Sequence, residues 1–249
     1  MRYFIELSYN GTNYCGWQVQ PHHMSVQQKI EDCLATVLRI KTPVVGCGRT
    51  DSGVHASQYF LHFDHPSLLP DNFMSRINKV LPPDIAFYDL KQVTDEAHTR
   101  FDATLRAYEY HLGFRKDPFH QQTSYYFPQW KKLDIDKMQK AANLLAEYSA
   151  FYTFCKSNTE VKTMNCTIMD SRWMSDSDGQ GMTYHVAANR FLRGMVRLIV
   201  GMCLNVGMNK LKLDTVRTAL DQQERLTKSL SAPPHGLFLT KVEYPEGEF

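Results

Sequence analysis

Hydrophobic and polar positions over the first hundred residues predict six elements, in the order β, α, β, β, α, β. Alternating positions and one short apolar run, both typical of strands, predict strands at 2–9, 43–47, 57–64 and 85–93. Apolar residues from Val26 to Leu38 recur at helical spacing after Ser25, which together with Gln28 predicts a capping box. A second helix is predicted over 71–80, before two prolines.

The second half of the chain is predicted to mix strands and helices in the same way. Strands are predicted at 105–114, 150–155, 165–174, 181–188 and 237–243. Helices are predicted to begin near Asp134 or Asp136, to run from Arg190 to Val206, and to cover 213–222. We therefore expect an α+β chain in two halves, residues 1–103 and residues 104–249.

Composition excludes several classes of protein. The chain has 249 residues, 43% of them hydrophobic, which is enough for a sizeable core, and its net charge of +2 does not by itself indicate nucleic-acid binding. No apolar run is long enough to span a membrane, and the N-terminal residues do not resemble a signal peptide. The six cysteines form no CxxC pair, which argues against a zinc site or a disulfide framework. We expect a reduced, cytoplasmic protein.

The most informative segment is the loop Gly48-Arg49-Thr50-Asp51-Ser52-Gly53, which connects two predicted strands. It puts one carboxylate among turn-forming residues, close to the guanidinium of Arg49. Asp followed closely by Gly is common turn chemistry, so Asp51 is explained locally as a turn residue. Loops carried by a rigid sheet are also where catalytic residues tend to be placed. Asp51 is therefore a candidate catalytic carboxylate.

A second candidate site lies in the predicted helix that begins at residue 190. Arg190, Arg193 and Arg197 are spaced three and four apart, so on a helix they would share one face. A solvated basic face is the usual explanation of such a pattern. The rest of this helix is strongly apolar, however, and arginines on a buried helix need anionic partners. A carboxylate such as Asp51 or a phosphate would serve.

Tyr108 and Tyr110 lie two residues apart on a predicted strand and therefore point to the same face. Packing within the core is the more common role of such a pair. The functional alternative is a platform on which a nucleobase stacks.

Several segments together resemble the tRNA pseudouridine synthase A family, in the family's order and over nearly the whole chain. They are Tyr9–Gln20, Ser25–Gln27, Gly48–Ala56, Arg100–Tyr110, Asn189–Gly201 and Gly236–Leu239. The segments around Asp51 and Arg193 are the most specific, and residues 115–132 look least like the family.

This resemblance implies an enzyme that isomerises uridine to pseudouridine at positions 38, 39 and 40 in the anticodon stem-loop of tRNA. It also implies a homodimer that needs no metal and no organic cofactor. The implied fold has two RRM-like (ferredoxin-like) halves with a central antiparallel sheet, helices on one side and an active-site cleft between the halves. The element order predicted for the first half agrees with an RRM-like unit.

The resemblance also implies roles for individual residues. Asp51 matches the catalytic aspartate, which acts either as a nucleophile at C1′ or C6 or as a base at the ribose 2′ carbon. Arg197 matches an arginine that pairs with this aspartate, and Tyr108 matches a tyrosine that stacks on the target base. Leu237 matches an apolar residue that closes the pocket.

Three further arginines complete the expected site. Arg190 and Arg193 are expected to hold tRNA phosphates, and Arg49 to hold a phosphate or to fill the gap left by the flipped base.

Two other functions fit parts of the pattern. A non-catalytic RNA-binding protein with RRM-like domains accounts for the aromatic and basic residues, but not for an acid in the centre of the loop, because a carboxylate repels phosphates. A hydrolase with a covalent aspartyl intermediate would need a second acid or metal ligands, for which the sequence offers no pattern.

Overall fold

A computed structural model describes residues 1–156, 163–226 and 231–246 of the chain. The chain forms two compact units. Unit 1 comprises Met1–Leu105 together with Phe238–Phe249, and unit 2 comprises Arg106–Leu237. The protein is of mixed α+β type, with strands that pair mostly in antiparallel fashion.

Nine strands and five α-helices are present in the described residues. The strands are β1 (Arg2–Tyr9), β2 (Val45–Gly46), β3 (His55–Asp64), β4 (Ile85–Val93), β5 (Leu105–Gly113), β6 (Tyr125–Tyr126), β7 (Ile168–Ser175), β8 (Gly181–Ala188) and β9 (Leu237–Glu243). The helices are α1 (Val26–Leu38), α2 (Phe73–Val80), α3 (Ile135–Leu144), α4 (Met195–Gly207) and α5 (Leu213–Asp221). The order β, α, β, β, α, β predicted for the first hundred residues is confirmed.

The sheet of unit 1 is organised around β3. β1 lies between β4 and β3 and is antiparallel to both. β2 pairs antiparallel with the second half of β3, through Val45 and His62. β9 pairs in parallel with the start of β3, through His55 and Phe238. The loop that joins β2 to β3 therefore reaches the end of the sheet at which β3 begins.

The start of α1 follows the sequence prediction in part. The Ser25 hydroxyl accepts a hydrogen bond from the Gln28 backbone N–H (3.1 Å), which caps the helix as predicted. Val26 and Ile30 are fully buried on one helix face. The side chain of Gln28 donates to Asp32 (2.8 Å), one turn further along the helix, rather than back to the cap. The reciprocal half of the predicted capping box is therefore wrong.

Unit 2 is built on an antiparallel sheet with β8 in the middle, between β5 and β7. The short strand β6 pairs in parallel with the end of β5. Helix α3 packs on this sheet, where the fully buried Tyr184 hydroxyl lies 2.7 Å from Ser171 Oγ. Ser171 Oγ in turn donates to the Ala142 carbonyl of α3 (2.8 Å).

Residues 150–155 do not form the predicted strand. They contain a 3-10 helix at Tyr152–Phe154, and the Thr153 hydroxyl donates to the Ala219 carbonyl of α5 (3.0 Å). Phe154 is fully buried. A short apolar run fits a strand or a buried helical segment equally well, and here it packs against a helix instead of joining a sheet.

Three findings bear on the expectations from composition. All six cysteines are free thiols. Within residues 1–156, 163–226 and 231–246, no helix is long and apolar enough to cross a membrane. In the same ranges no group of three or more His, Cys, Asp or Glu side chains is arranged to hold a metal ion.

Candidate active site

Asp51 occupies the first position of a tight turn just before β3. The Val54 N–H donates to the Asp51 carbonyl (3.1 Å), which closes a four-residue turn. Gly53, the third residue of this turn, has a φ of +74°. A positive φ at that position is what a type II turn requires, and glycine adopts it without steric cost. The Asp51 residue is half-buried, while Arg49 is exposed two residues earlier.

The turn rests directly on the loop that follows β1. The Trp17 N–H donates to the Thr50 carbonyl (3.2 Å), and the Gly53 N–H donates to the Tyr14 carbonyl (3.3 Å). Gly16 has a φ of +85°, and a Cβ on this residue would lie 2.4 Å from the Thr50 carbonyl oxygen. The two loops are thus in backbone-to-backbone contact, with no space for a side chain between them.

Asp84 anchors the supporting loop in turn. Its backbone carbonyl accepts from the Asn10 N–H (2.9 Å), and its carboxylate accepts from the Tyr14 hydroxyl (2.7 Å). Burial and this hydrogen bond raise the pKa of Tyr14, so the hydroxyl remains a donor at neutral pH. The loop that supports Asp51 is thereby fixed to the start of β4.

Three buried aromatic side chains hold the other side of the Asp51 loop. The Trp17 and Tyr59 rings stack with centroids 4.1 Å apart. The Tyr59 hydroxyl donates to the Gly48 carbonyl (2.5 Å), and the Tyr9 hydroxyl lies 2.8 Å from Thr50 Oγ1. These contacts fix the backbone on the N-terminal side of Asp51, since both hydroxyls are carried by strands of the unit 1 sheet.

His55, four residues after Asp51, has a structural environment. It is buried, its Nδ1 accepts from the Gly11 N–H (3.0 Å), and its ring stacks on Phe238 at 4.5 Å. The ring therefore ties the supporting loop and β9 to the start of β3.

In unit 2, the two tyrosines of β5 have different environments. Tyr110 is fully buried, and its hydroxyl donates to the Pro233 carbonyl (2.9 Å); burial raises its pKa. Tyr108 is half-buried, and its ring contacts Phe191 edge-on with centroids 5.1 Å apart. Tyr110 is thus a core residue, whereas part of the surface of Tyr108 is exposed.

The prediction that Arg190, Arg193 and Arg197 share a helix face is wrong. Helix α4 begins at Met195, and the residue before it, Gly194, has a φ of +70°. A left-handed residue interrupts a right-handed helix, so Arg190 and Arg193 belong to the segment that leads into α4. Arg190 is half-buried there and Arg193 is exposed.

Arg197 lies in the first turn of α4 and binds the segment that precedes β9. Its Nε donates to the Ala232 carbonyl (2.7 Å), and the Ala232 N–H donates to the Arg197 carbonyl (3.0 Å). Nearby, a Cβ on Gly236 would lie 2.8 Å from the His111 carbonyl oxygen. These contacts set the position of the buried Leu237, the first residue of β9.

The chain is similar to known proteins over nearly its whole length. The family model described as tRNA pseudouridine synthase matches residues 147–245. tRNA pseudouridine synthase A of Parabacteroides distasonis is 44% identical over 250 residues, covering 100% of this chain and 98% of that protein. The protein of the same name from Bacteroides thetaiotaomicron is 45% identical, covering 100% and 92%, and that of Bacillus subtilis is 36% identical, covering 98% and 99%.

The chain belongs to the tRNA pseudouridine synthase A family. As a member of it, the protein is a pseudouridine synthase, an isomerase.

Sequence reasoning missed the residues that support the Asp51 loop. Tyr59 is far in sequence from Tyr9 and Trp17, and none of the three is a candidate site residue predicted from the sequence. Tyr9 and Trp17 do belong to one of the segments that resemble the family, so that likeness was the available signal. It does not supply the contacts of the Tyr9 and Tyr59 hydroxyls with residues 48–50, which form only when β1, β2 and β3 assemble into one sheet.

Proposed function

We propose that the protein isomerises uridine to pseudouridine at positions 38, 39 and 40 in the anticodon stem-loop of tRNA, with Asp51 as the initiating group. The observation that carries this proposal is the position of Asp51: a half-buried carboxylate on a turn whose backbone is held from two sides. Catalytic groups need such positioning, because a displacement of about 1 Å can cost about 100-fold in rate. Family membership supports tRNA as the substrate.

The reaction needs few groups because the base stays in the site. The N1–C1′ bond breaks, the uracil turns, and a C5–C1′ bond forms, after which the C5 proton is lost. Asp51 starts this sequence as a nucleophile at C1′ or C6 or as a base at the ribose 2′ carbon. Neither route consumes or produces electrons, so no redox partner is involved.

Other residues take the roles implied by the family. Arg197 pairs with the Asp51 carboxylate. Tyr108 stacks on the uracil and accepts the C5 proton late in the reaction. Leu237 closes the pocket as an apolar wall. Arg197 is hydrogen-bonded to Ala232, and the segment that contains Ala232 leads into Leu237. This contact supports the assignment of Arg197 and Leu237 to the same site.

Extruding the target uridine from its stack costs a few kcal/mol, which contacts to the tRNA backbone offset. We assign these contacts to Arg190 and Arg193. Both belong to an irregular segment, and such segments commonly supply binding residues. Arg49, exposed beside the catalytic turn, holds a phosphate or fills the gap left by the flipped base.

We further propose that the two halves, residues 1–103 and 104–249, are RRM-like, with the active-site cleft between them. The strand order β4, β1, β3, β2 with antiparallel neighbours supports this for unit 1. A cytoplasmic homodimer is proposed from the family resemblance alone.

The test combines modification mapping with one substitution. Wild-type protein should form pseudouridine in tRNA that carries uridine at position 38, 39 or 40, and none when all three are cytidine. Asp51→Asn should bind the same tRNA with unchanged affinity and form no product. The matched control is Asp71→Asn, which removes the charge of an exposed acid of unit 1 and should retain full activity. Product formation by Asp51→Asn would overturn the assignment of Asp51.

A further inference from the structure

The segment from Phe114 to Lys132 has a composition that the proposed reaction does not use. It contains four basic residues and one acid; the basic residues are Arg115, Lys116, Lys131 and Lys132, and the acid is Asp117. All four basic side chains are exposed. Aromatic residues are interleaved with them: Phe114, Phe119, Tyr125, Tyr126, Phe127 and Trp130. We call residues 114–132 the basic-aromatic segment.

The two ends of the basic-aromatic segment lie side by side. The Phe114 and Trp130 rings stack with centroids 4.8 Å apart and planes inclined by 12°. Phe127 N–H donates to the Gly113 carbonyl (2.9 Å), which holds the returning chain against the end of β5. Arg115 and Lys116 directly follow one stacked ring, and Lys131 and Lys132 directly follow the other, so the stack brings the two pairs of basic residues into one region of unit 2.

Phe119, within this segment, has 91% of its surface exposed, more than any other large hydrophobic residue in the described ranges. Its position is fixed by Asp117, whose carboxylate accepts from the Phe119 N–H (2.9 Å) and lies 2.9 Å from His120 Nδ1. These two contacts engage both carboxylate oxygens of Asp117. The turn therefore holds the backbone of Phe119 in place and leaves its ring exposed to solvent, in a segment whose charges are predominantly of one sign.

We propose that the basic-aromatic segment is a second contact surface for tRNA, on which an unpaired base stacks against Phe119 and the four basic side chains bind phosphates. Proteins that bind single-stranded nucleic acid combine the same two features, a stacking ring and a basic track along the backbone. The proposal rests on tRNA being the substrate, and it adds a site to that substrate's binding surface.

Substitutions at Phe119 test the stacking contact. Phe119→Ala should weaken tRNA binding roughly tenfold, the usual order for loss of one base–aromatic stack. Phe119→Trp should retain the affinity, and Phe119→Leu should not, because leucine keeps the apolar bulk but has no ring to stack. The 91% exposure of the side chain means that all three variants should fold as the wild type does. Equal affinity of the Leu and Trp variants would overturn stacking as the contact.

Salt dependence tests the phosphate contacts. The double variant Lys131→Ala/Lys132→Ala should reduce the slope of log affinity against log salt concentration by about 1.5, because each phosphate contact contributes about 0.7 to 0.9. The matched control is Lys41→Ala/Lys79→Ala, which removes the same charge from exposed lysines of unit 1 and should leave the slope unchanged. Equal slopes for the two double variants would overturn the proposal.

Two measurements separate the remaining outcomes. If Phe119→Ala changes the sedimentation mass of the free protein and leaves tRNA affinity unchanged, the ring belongs to a contact between copies of the chain and the proposal is wrong. Pseudouridine formation by the wild type is measured on the same tRNA. Failure of that reaction would count against the proposed function, whereas normal turnover with unaltered binding by the variants would count only against this surface.

Discussion

Replacing Gly16 by alanine tests whether the supporting loop fixes Asp51. The new Cβ would lie 2.4 Å from the Thr50 carbonyl oxygen, so the Asp51 loop must retreat by roughly 0.6 Å to restore even a 3.0 Å contact. Alanine at a φ of +85° adds about 1–2 kcal/mol of backbone strain. Overpacking against a fixed backbone adds about 1–3 kcal/mol. We expect a total loss of about 2–5 kcal/mol in the free energy of unfolding.

Activity should fall as well, because a displacement of this size at a reacting group costs on the order of 10- to 100-fold in rate. The matched control is Gly179→Ala. Gly179 has a similar φ of +67°, but nothing lies within 4 Å of its hypothetical Cβ. Its substitution should cost only the backbone strain, about 1 kcal/mol, and should leave turnover unchanged.

Urea unfolding and single-turnover pseudouridine formation, measured on both variants, test whether the supporting loop fixes the position of Asp51. If Gly16→Ala is no less stable than Gly179→Ala and reacts at the wild-type rate, the two loops are not packed against each other as described. The contact with Thr50 would then have no bearing on the reaction.

Three further predictions concern the same structure. Tyr59→Phe removes the donor to the Gly48 carbonyl and should cost about 1–2 kcal/mol in chemical denaturation, with a lower turnover rate at saturating tRNA and unchanged affinity. Burial lowers the pKa of His62 in the folded state to about 4, whereas the ordinary value is 6.5. Below pH 6.5 the unfolded state therefore binds more protons than the folded state. Stability should therefore fall as the pH drops from about 6.5 to 4, by at most about 3 kcal/mol, and His62→Gln should flatten this dependence in urea titrations at several pH values. Tyr110→Phe leaves the Pro233 carbonyl without its donor and should lower the thermal midpoint by a few degrees, as scanning calorimetry would show.

The sequence predicted those elements whose pattern is strong and uninterrupted. Strands at 85–93, 181–188 and 237–243 form with the predicted bounds, because alternating burial on a sheet leaves a period of two in the sequence. Asp134 caps α3 through the Lys137 N–H (3.0 Å), as one of the two predicted starts of that helix. In these cases the local signal and the final packing agree.

The start of α4 shows what the pattern of apolar residues does not predict. Periodicity extends the helix back to Arg190, but Gly194 adopts a left-handed conformation that no apolar pattern reveals. Hence Arg197 was placed correctly on a helix and Arg193 was not. The position of Asp51 in a turn before β3 was predictable from its neighbours, whereas the contacts that hold the turn were not. Several of them join residues more than 30 positions apart, such as Tyr9 and Thr50.

The most direct test of the central claim is tritium release from tRNA labelled at uracil C5, measured for the wild type, Asp51→Ala and the control Asp71→Ala. Formation of the C5–C1′ bond expels the C5 hydrogen, so release reports the isomerisation itself. We predict release by the wild type and by Asp71→Ala, and none by Asp51→Ala. Release by Asp51→Ala at the wild-type rate would contradict the role given to Asp51. Absence of release from the wild type, despite tight tRNA binding, would contradict the proposed function as a whole.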